Sequence, residues 1–293
     1  MDPLYIIDRE TGEREEEQVF GAGALKLFYG NRTGRFFSHF ISRIPLVSFL
    51  YGWWQKLPVT AKNVVPFVEA YGVDRTEFLE PVENFKSFND FFIRKLKRGS
   101  RPLPEGDVAV IPADGRFRFF QNVDESEGFV VKGEKFKLEE LLQDPELAEK
   151  YRGGAMLIGR LCPTDYHRFH FPVDCIPSES RLINGYLYSV NPIALRQDID
   201  IFTKNKRMIT TLESQKFGKV LYIEIGATNV GSIIQTFQPN RPYQKGDEKG
   251  YFSFGASALV VLFEPGKIIF EPDLLKQSEL EMKCKMGSSL SKL

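Results

Sequence analysis

Hydrophobic periodicity changes at the cluster Arg101-Pro102-Leu103-Pro104-Glu105-Gly106, and a purely helical or purely β architecture cannot accommodate both sides of that break. Before it, helical signals run over residues 64–96, where Ser87 is followed by Asn89, Asp90, Phe91, Phe92, Arg94 and Lys95 in a short amphipathic segment. After it come short apolar runs separated by turn residues, at 108–111, 116–120, 129–131, 155–158, 220–225 and 258–263, which read as strands. One charged helix is predicted to interrupt them at 138–151. The expectation is an α+β chain, with a helical N-terminal, membrane-facing region (1–104) packed on a mainly antiparallel β catalytic domain (105–293).

Charge is segregated along the helical part. Residues 1–17 carry seven acids, and no Asp or Glu follows until Glu69. Inside that gap Lys26, Arg32, Arg35, Arg43, Lys56 and Lys62 alternate with aromatics such as Phe28, Phe36, Phe37, Phe40, Trp53 and Trp54. Phe36, Phe37, Phe40, Ile41 and Ile44 recur at helical spacing, so a helix there suits either the surface of an anionic bilayer or the face of a protein core. The longest uncharged apolar stretch, 44–55, is 12 residues with a Pro and a Gly, whereas a spanning helix needs about 20. An acidic, polar beginning is unlike a signal peptide, and the expectation is a protein that stays in the cytoplasm and touches a membrane from that side. Over the whole chain, 39 Lys and Arg balance 39 Asp and Glu, which removes a global electrostatic argument for nucleic acid. Three cysteines in 293 residues exclude a disulfide scaffold and fit a reducing compartment.

Two of the three histidines, His167 and His170, lie in Asp165-Tyr166-His167-Arg168-Phe169-His170, the first place to look for acid–base chemistry near neutral pH. Cys162, His167, His170 and Cys175 have the ligand types zinc prefers, but their spacing matches no finger pairing, and no metal site is expected. Asp114 ends a predicted strand before Gly115, where a turn role would suffice. Ser257 follows Gly255-Ala256 and leads into a strongly apolar strand. Asp114, His170 and Ser257 supply an acid, a base and a nucleophile, so a serine hydrolase or esterase is one reading. Against it, Gly255-Ala256-Ser257-Ala258-Leu259 lacks the final glycine of a nucleophile elbow, and the serine enters a strand rather than a helix.

Taken together, Ser87-Phe88-Asn89-Asp90-Phe91-Phe92-Ile93-Arg94-Lys95-Leu96, Pro112-Ala113-Asp114-Gly115, the His167/His170 segment, Gly226-Ala227-Thr228-Asn229-Val230-Gly231-Ser232-Ile233 and Lys249-Gly250-Tyr251-Phe252-Ser253-Phe254-Gly255 resemble the phosphatidylserine decarboxylase proenzymes, in the bacterial branch of roughly this length, nearly end to end. The resemblance implies a chain that processes itself. Ser257 would attack the carbonyl of Ala256, cleaving the chain between 256 and 257 into a large and a small fragment that stay together as a heterodimer, and Ser257 would become a covalent pyruvoyl cofactor. It further implies His170 as base, Asp114 as its orienter and His167 as the group serving decarboxylation. The substrate would be phosphatidylserine, its product phosphatidylethanolamine, and the location peripheral, on the cytoplasmic side of the cell membrane, with residues 20–67 against the anionic lipid surface. Family members often form homodimers, although no heptad or other self-association pattern is visible in this chain. A lipid-binding relative that does not process itself is the other alternative.

At the cleavage segment this chain has Gly255-Ala256-Ser257-Ala258, where the branch tends to Gly-Gly-Ser-Thr. Counting back from Phe263 keeps Ser257 in the nucleophile register. The Cβ of Ala256 narrows the backbone freedom an acyl shift needs, an effect that would slow cleavage. Gly287-Ser288-Ser289 repeats the small-residue pattern with no apolar strand after it, and residues 283–293 read as a polar, exposed terminus.

Overall fold

A computed structural model describes residues 4–17, 45–125, 137–190, 195, 200–227, 233–255, 257–276 and 280–292, with no side-chain description for 45–49 or 125. The chain opens with a hairpin, β1 (Tyr5–Asp8) and β2 (Arg14–Glu16). Helices α1 (Pro45–Trp54), α2 (Val64–Ala70) and α3 (Phe88–Phe92) follow, linked by 3-10 turns. β3 (Gly115–Phe120) begins the sheet domain, followed by α4 (Leu138–Leu142), α5 (Pro145–Tyr151), β4 (Ala155–Leu161), β5 (Arg168–His170), β6 (Ile176–Pro177) and β7 (Arg181–Ile183). The rest comprises α6 (Ile201–Lys204), β8 (Arg207–Ser214), β9 (Gly218–Gly226), β10 (Ile233–Gln235), β11 (Glu248–Phe252), β12 (Ser257–Phe263), α7 (Pro272–Leu275) and β13 (Glu281–Cys284).

Among the described residues, ten strands form one sheet in the order β2-β1-β13-β3-β4-β12-β9-β8-β6, with β7 also on β8, and three form a second, β10-β11-β5. Every pairing is antiparallel except β1 with β13. β12 explains the layering. All seven of its residues are buried, so its side chains alternate between two cores with no polar face, and the sequence is a continuous apolar run. Leu259, Val261 and Phe263 meet Phe117 of the large sheet and Phe169 and Phe252 of the small sheet. Ala258, Val260 and Leu262 pack with Leu141, Leu142, Tyr151, Ile201 and Phe202 from the helices on the other side. A third core is helical: Val64, Phe67, Phe78, Phe85, Phe88, Phe91 and Phe92 enclose Phe254, just upstream of β12.

The expected α+β class and mainly antiparallel sheet are present, with differences that have physical causes. The N-terminal region is not helical throughout, because its acidic start is a strand pair added to the sheet. There Asp8 and Glu15 pair with Lys283 of β13, and Glu10 with Lys285. The expected helix through 36–44 and strand at 129–131 lie outside the described residues. Residues 138–151 split into α4 and α5, since Gln143 takes a left-handed φ of 46° and Asp144 restarts the helix by accepting from the Leu147 N–H ahead of Pro145.

Residues 108–111 are buried but make no regular strand. They pair instead with the C-terminal tail, Ile111 N–H to Ser288 O at 2.8 Å and Leu290 N–H to Ala109 O at 2.8 Å. The same contacts correct the reading of 283–293 as exposed. Cys284, Met286, Leu290 and Ser291 are buried. Two apolar residues spaced four apart in a polar tail form no periodic pattern, so only the partner segment shows that they are core.

Two buried ionic groups brace the structure, one between the sheets and one within the large sheet. Between the sheets, the fully buried Lys249 of β11 pairs with Glu224 of β9, with Thr210 Oγ1 (3.0 Å) and Gln235 Oε1 (2.9 Å) completing its shell. Burial pushes the Glu224 carboxyl up and the Lys249 ammonium down, and each charge opposes that shift in the other. Glu17, just past β2, reaches Arg160 of β4 (2.5 Å) and Arg116 of β3 (3.2 Å). Burial alone would raise the Glu17 carboxyl, but these two guanidiniums prevail and hold it at about 2.

Removing one member of a buried pair strands the other charge. Lys249→Met should therefore destabilise by ~3–5 kcal/mol, and Lys249→Met with Glu224→Met should recover most of that loss in urea denaturation. Glu17 titrates lower in the folded chain than its ordinary 4.5. Its stabilisation is accordingly full above about pH 4.5 and is lost as pH falls towards 2. At ~1.4 kcal/mol per pH unit this amounts to ~3 kcal/mol. The stability gap between wild type and Glu17→Gln should close by roughly that amount between pH 7 and pH 2.

Candidate active site

Ser257 is the first residue of β12, opposite Leu161 of β4 and Gly226 of β9. Strand alternation sends its side chain to the same face as Leu259 and Val261, between the two sheets. Its Oγ is fully buried and has no hydrogen-bond partner. A hydroxyl in that position is normally satisfied, so an orphan marks a place where something other than stability set the residue. Just before it, Gly255 has φ +140°, a conformation L side chains rarely adopt, which turns the chain from the small sheet into the large one.

The histidine segment lies alongside. Phe252 N–H donates to His167 O at 3.0 Å, which ties the end of β11 to the start of β5. Phe92 of α3 stacks on the His167 imidazole with ring centroids 3.7 Å apart and touches Phe254 at 4.9 Å, so one ring bridges the histidine and the segment leading to Ser257. His167 Nδ1 is 3.0 Å from Asp165 O, and its Nε2 is buried without a partner. A carbonyl can only accept, so Nδ1 carries the hydrogen and Nε2 presents a lone pair. Burial lowers this imidazole to about 3, aided by nearby Arg94 and opposed by the Asp165 carbonyl, and His167 is neutral at physiological pH.

His170 also keeps its hydrogen on Nδ1, which donates to Gly246 O at 2.9 Å, while Nε2 faces the Tyr166 hydroxyl at 3.3 Å. Its imidazole is lowered too, mainly by burial. The orienting hydrogen bond on His170 thus comes from a backbone carbonyl. Asp114 is committed elsewhere. Its carboxylate takes the Arg101 fork (Nε 2.9 Å, Nη2 2.5 Å) and the Met286 N–H at 2.8 Å. Asp114 nevertheless belongs to the same place, because His170 N–H donates to Pro112 O at 2.8 Å and the Asp114 charge acts on both imidazoles.

Sequence reasoning passed over several parts of this site. Arg101, read as a boundary, holds Asp114 and also pairs with Glu77 at 2.9 Å. Asp165 fixes the loop into His167 by accepting the Cys162 N–H at 2.7 Å and pairing with Arg116. Tyr166, Phe92 and Asn89 had no assigned role, although a buried Asn in an aromatic run was a usable signal. The two cysteines weighed as metal ligands diverge: Cys162 Sγ lies 2.9 Å from Glu17 Oε1, whereas Cys175 pairs through its backbone with Tyr243. Among the described residues no group of three or more His, Cys, Asp or Glu could hold a metal ion.

Comparison with known proteins identifies the family. The family model described as phosphatidylserine decarboxylase matches residues 88–292. A protein of Chlamydia pneumoniae named phosphatidylserine decarboxylase proenzyme is 46% identical over 99% of this chain and 97% of its own length. Proteins of the same name from Chlamydia caviae and Chlamydia muridarum are 46% and 49% identical, covering 100% and 99% of this chain and 99% and 97% of theirs. Among solved structures, a glucose permease IIA from Mycoplasma capricolum aligns with 64% of this chain and 96% of its own at 12% identity and a TM-score of 0.28, too slight to bear on the fold. On residues, geometry and full-length similarity, the chain belongs to the phosphatidylserine decarboxylase family.

Proposed function

We propose that this chain decarboxylates phosphatidylserine to phosphatidylethanolamine with a pyruvoyl group that it makes from its own Ser257. The observation that carries this reading is the unpartnered Ser257 hydroxyl, wholly buried at the head of an interior strand, with Phe92 bridging the segment before it to a neutral His167 whose Nε2 is free. A hydrolase would need this serine open to an external ester, whereas a nucleophile that attacks its own chain needs no access.

In the cleavage step the Ser257 Oγ–H gives its proton to an imidazole, with His170 assigned as that base. Oγ then bonds to the Ala256 carbonyl carbon, the C–N bond breaks, and the freed nitrogen takes up the proton. Loss of the Cα proton with rupture of the Cβ–Oγ bond releases the Ala256 carboxylate. Water then replaces nitrogen at residue 257, ammonia leaves, and a ketone remains. That ketone supplies an electron sink for the carbanion that forms when carbon dioxide departs. His167 is suited to proton traffic in turnover. Its free Nε2 can take the proton that the substrate ammonium must lose and return it to the decarboxylated carbon.

The topology supports fragments that stay together. Residues 257–293 contribute β12, between β4 and β9, and β13, between β1 and β3, so both strands of the small fragment are interior and every partner strand belongs to the large one. Intact-mass analysis should find two chains, 1–256 and 257–293, the second blocked at its N-terminus and reactive toward carbonyl reagents. They should co-elute until denaturant is added. Ser257→Ala should stay full length, and His167→Ala should cleave but lose decarboxylation. A full-length wild-type chain labelled by a fluorophosphonate would favour the hydrolase, and one with neither label a lipid-binding relative.

The surface near α1 supports peripheral attachment to an anionic, cytoplasm-facing bilayer. Leu50, Trp53 and Trp54 are half exposed, with Val59, Lys56 and Lys62 beside them, and Tyr51 of the same helix touches Phe254 at 5.8 Å. No helix among the described residues is long and apolar enough to cross a membrane. At ~1 kcal/mol per basic residue near such a surface, Lys56→Ala with Lys62→Ala should weaken binding to anionic liposomes by ~30-fold in flotation. Wild-type protein that fails to float with anionic vesicles would overturn this placement.

A further inference from the structure

Between β11 and β12 the chain leaves the small sheet and enters the large one in four residues, 253–256. Both ends are fixed, at Phe252 by His167 O and at Ser257 by strands on either side. The middle is held by one side chain from the helical region. Asn89 Oδ1 accepts from the Ser253 hydroxyl at 2.8 Å and from the Phe254 N–H at 2.9 Å, using both lone pairs of a single carbonyl oxygen.

Asn89 is itself locked. It lies buried in the first turn of α3, where Ser87 caps the helix by accepting the Asp90 N–H, and its own N–H donates to Gln55 O at 2.9 Å. Around it, Phe88 and Phe92 clamp the Phe254 ring at 5.4 and 4.9 Å. An apolar residue would suit this phenylalanine cluster better, because a buried amide costs free energy unless it is hydrogen-bonded. What it supplies here is an acceptor for a segment that has no strand partner of its own.

We propose that Asn89 is a positioning residue for self-cleavage. By anchoring Ser253 and Phe254 it fixes where the Gly255 turn starts, and hence how the chain approaches the bond that Ser257 is to cleave. Attack on a neighbouring carbonyl tolerates little misplacement, since an error of about 1 Å can slow such a step ~100-fold. The proposal rests on the reading of Ser257 as the self-cleaving residue.

The test follows conversion of freshly synthesised full-length chain to fragments by mass spectrometry, with thermal unfolding as a check on folding. Asn89→Leu keeps the shape and removes the acceptor, and it should lengthen the cleavage half-time ~10- to 100-fold. Asn89→Asp keeps an acceptor oxygen and should restore cleavage to near the wild-type rate, a rescue that generic destabilisation does not predict. Folded Asn89→Leu that cleaves like wild type overturns the proposal, as does folded Asn89→Asp that is as slow as Asn89→Leu. Should Asn89→Leu not fold, Ser253→Ala decides: it leaves α3 intact and deletes one of the two anchors, so slowed cleavage supports the proposal and an unchanged half-time overturns it. If wild type never cleaves, the reading of Ser257 fails and takes this one with it. If wild type cleaves and the variants match it, only the role of Asn89 fails.

Discussion

β12 has strand partners on both edges and an apolar core on both faces, and the rest of the molecule is arranged around that condition. A strand so placed cannot slip by one residue without exchanging its two sets of side chains between cores of different shape. Its register is therefore rigid, and the position of Ser257 is rigid with it. The serine stands at the point where strand pairing ends and an irregular crossing begins. Ser257 is held by the sheet, and residues 253–255 before it form a turn that side chains from elsewhere shape. A glycine with positive φ, a phenylalanine clamp and an asparagine acceptor shape that turn.

Electrostatics around the site follow from burial more than from charge pairing. Both histidines lose proton affinity because burial leaves imidazolium poorly solvated. Their tautomers are set by backbone carbonyls, which leaves Nε2 of His167 free and that of His170 on the Tyr166 hydroxyl. Asp114 is paired with Arg101, and its charge acts on the imidazoles through space. Further out, the Glu17, Arg116, Arg160 and Asp165 cluster fastens the N-terminal hairpin and the loop into His167 to the same two strands. The acidic start of the chain thus becomes part of the support of the candidate site.

Much of this architecture was legible in the sequence where one physical signal dominated. The apolar run of β12, the strands at β3, β4 and β9, and the change from helical to strand periodicity near residue 101 all depend on local pattern. Ser257 and the histidine pair were legible as unusual residues in quotable motifs. The hairpin at residues 5–16, the buried tail and the division of helix 138–151 were not, because each depends on a distant partner or a single backbone angle. Residues 108–111 and 286–291 illustrate the limit: neither segment is a regular strand, yet each satisfies the buried backbone of the other.

Sequence alone determined that this chain is α+β, that it carries two histidines and a serine in the order and context of a self-processing decarboxylase, and that an aromatic, cationic stretch precedes its catalytic part. These properties are written in residue types and short-range periodicity. Only the tertiary structure decided which groups meet: that Asp114 answers to Arg101, that His170 is oriented by Gly246, and that Asn89 reaches Ser253 and Phe254 across more than 160 positions of chain. Hydrogen bonds between distant residues leave no periodic trace, because each one is fixed by where two separate elements come to rest on a shared core.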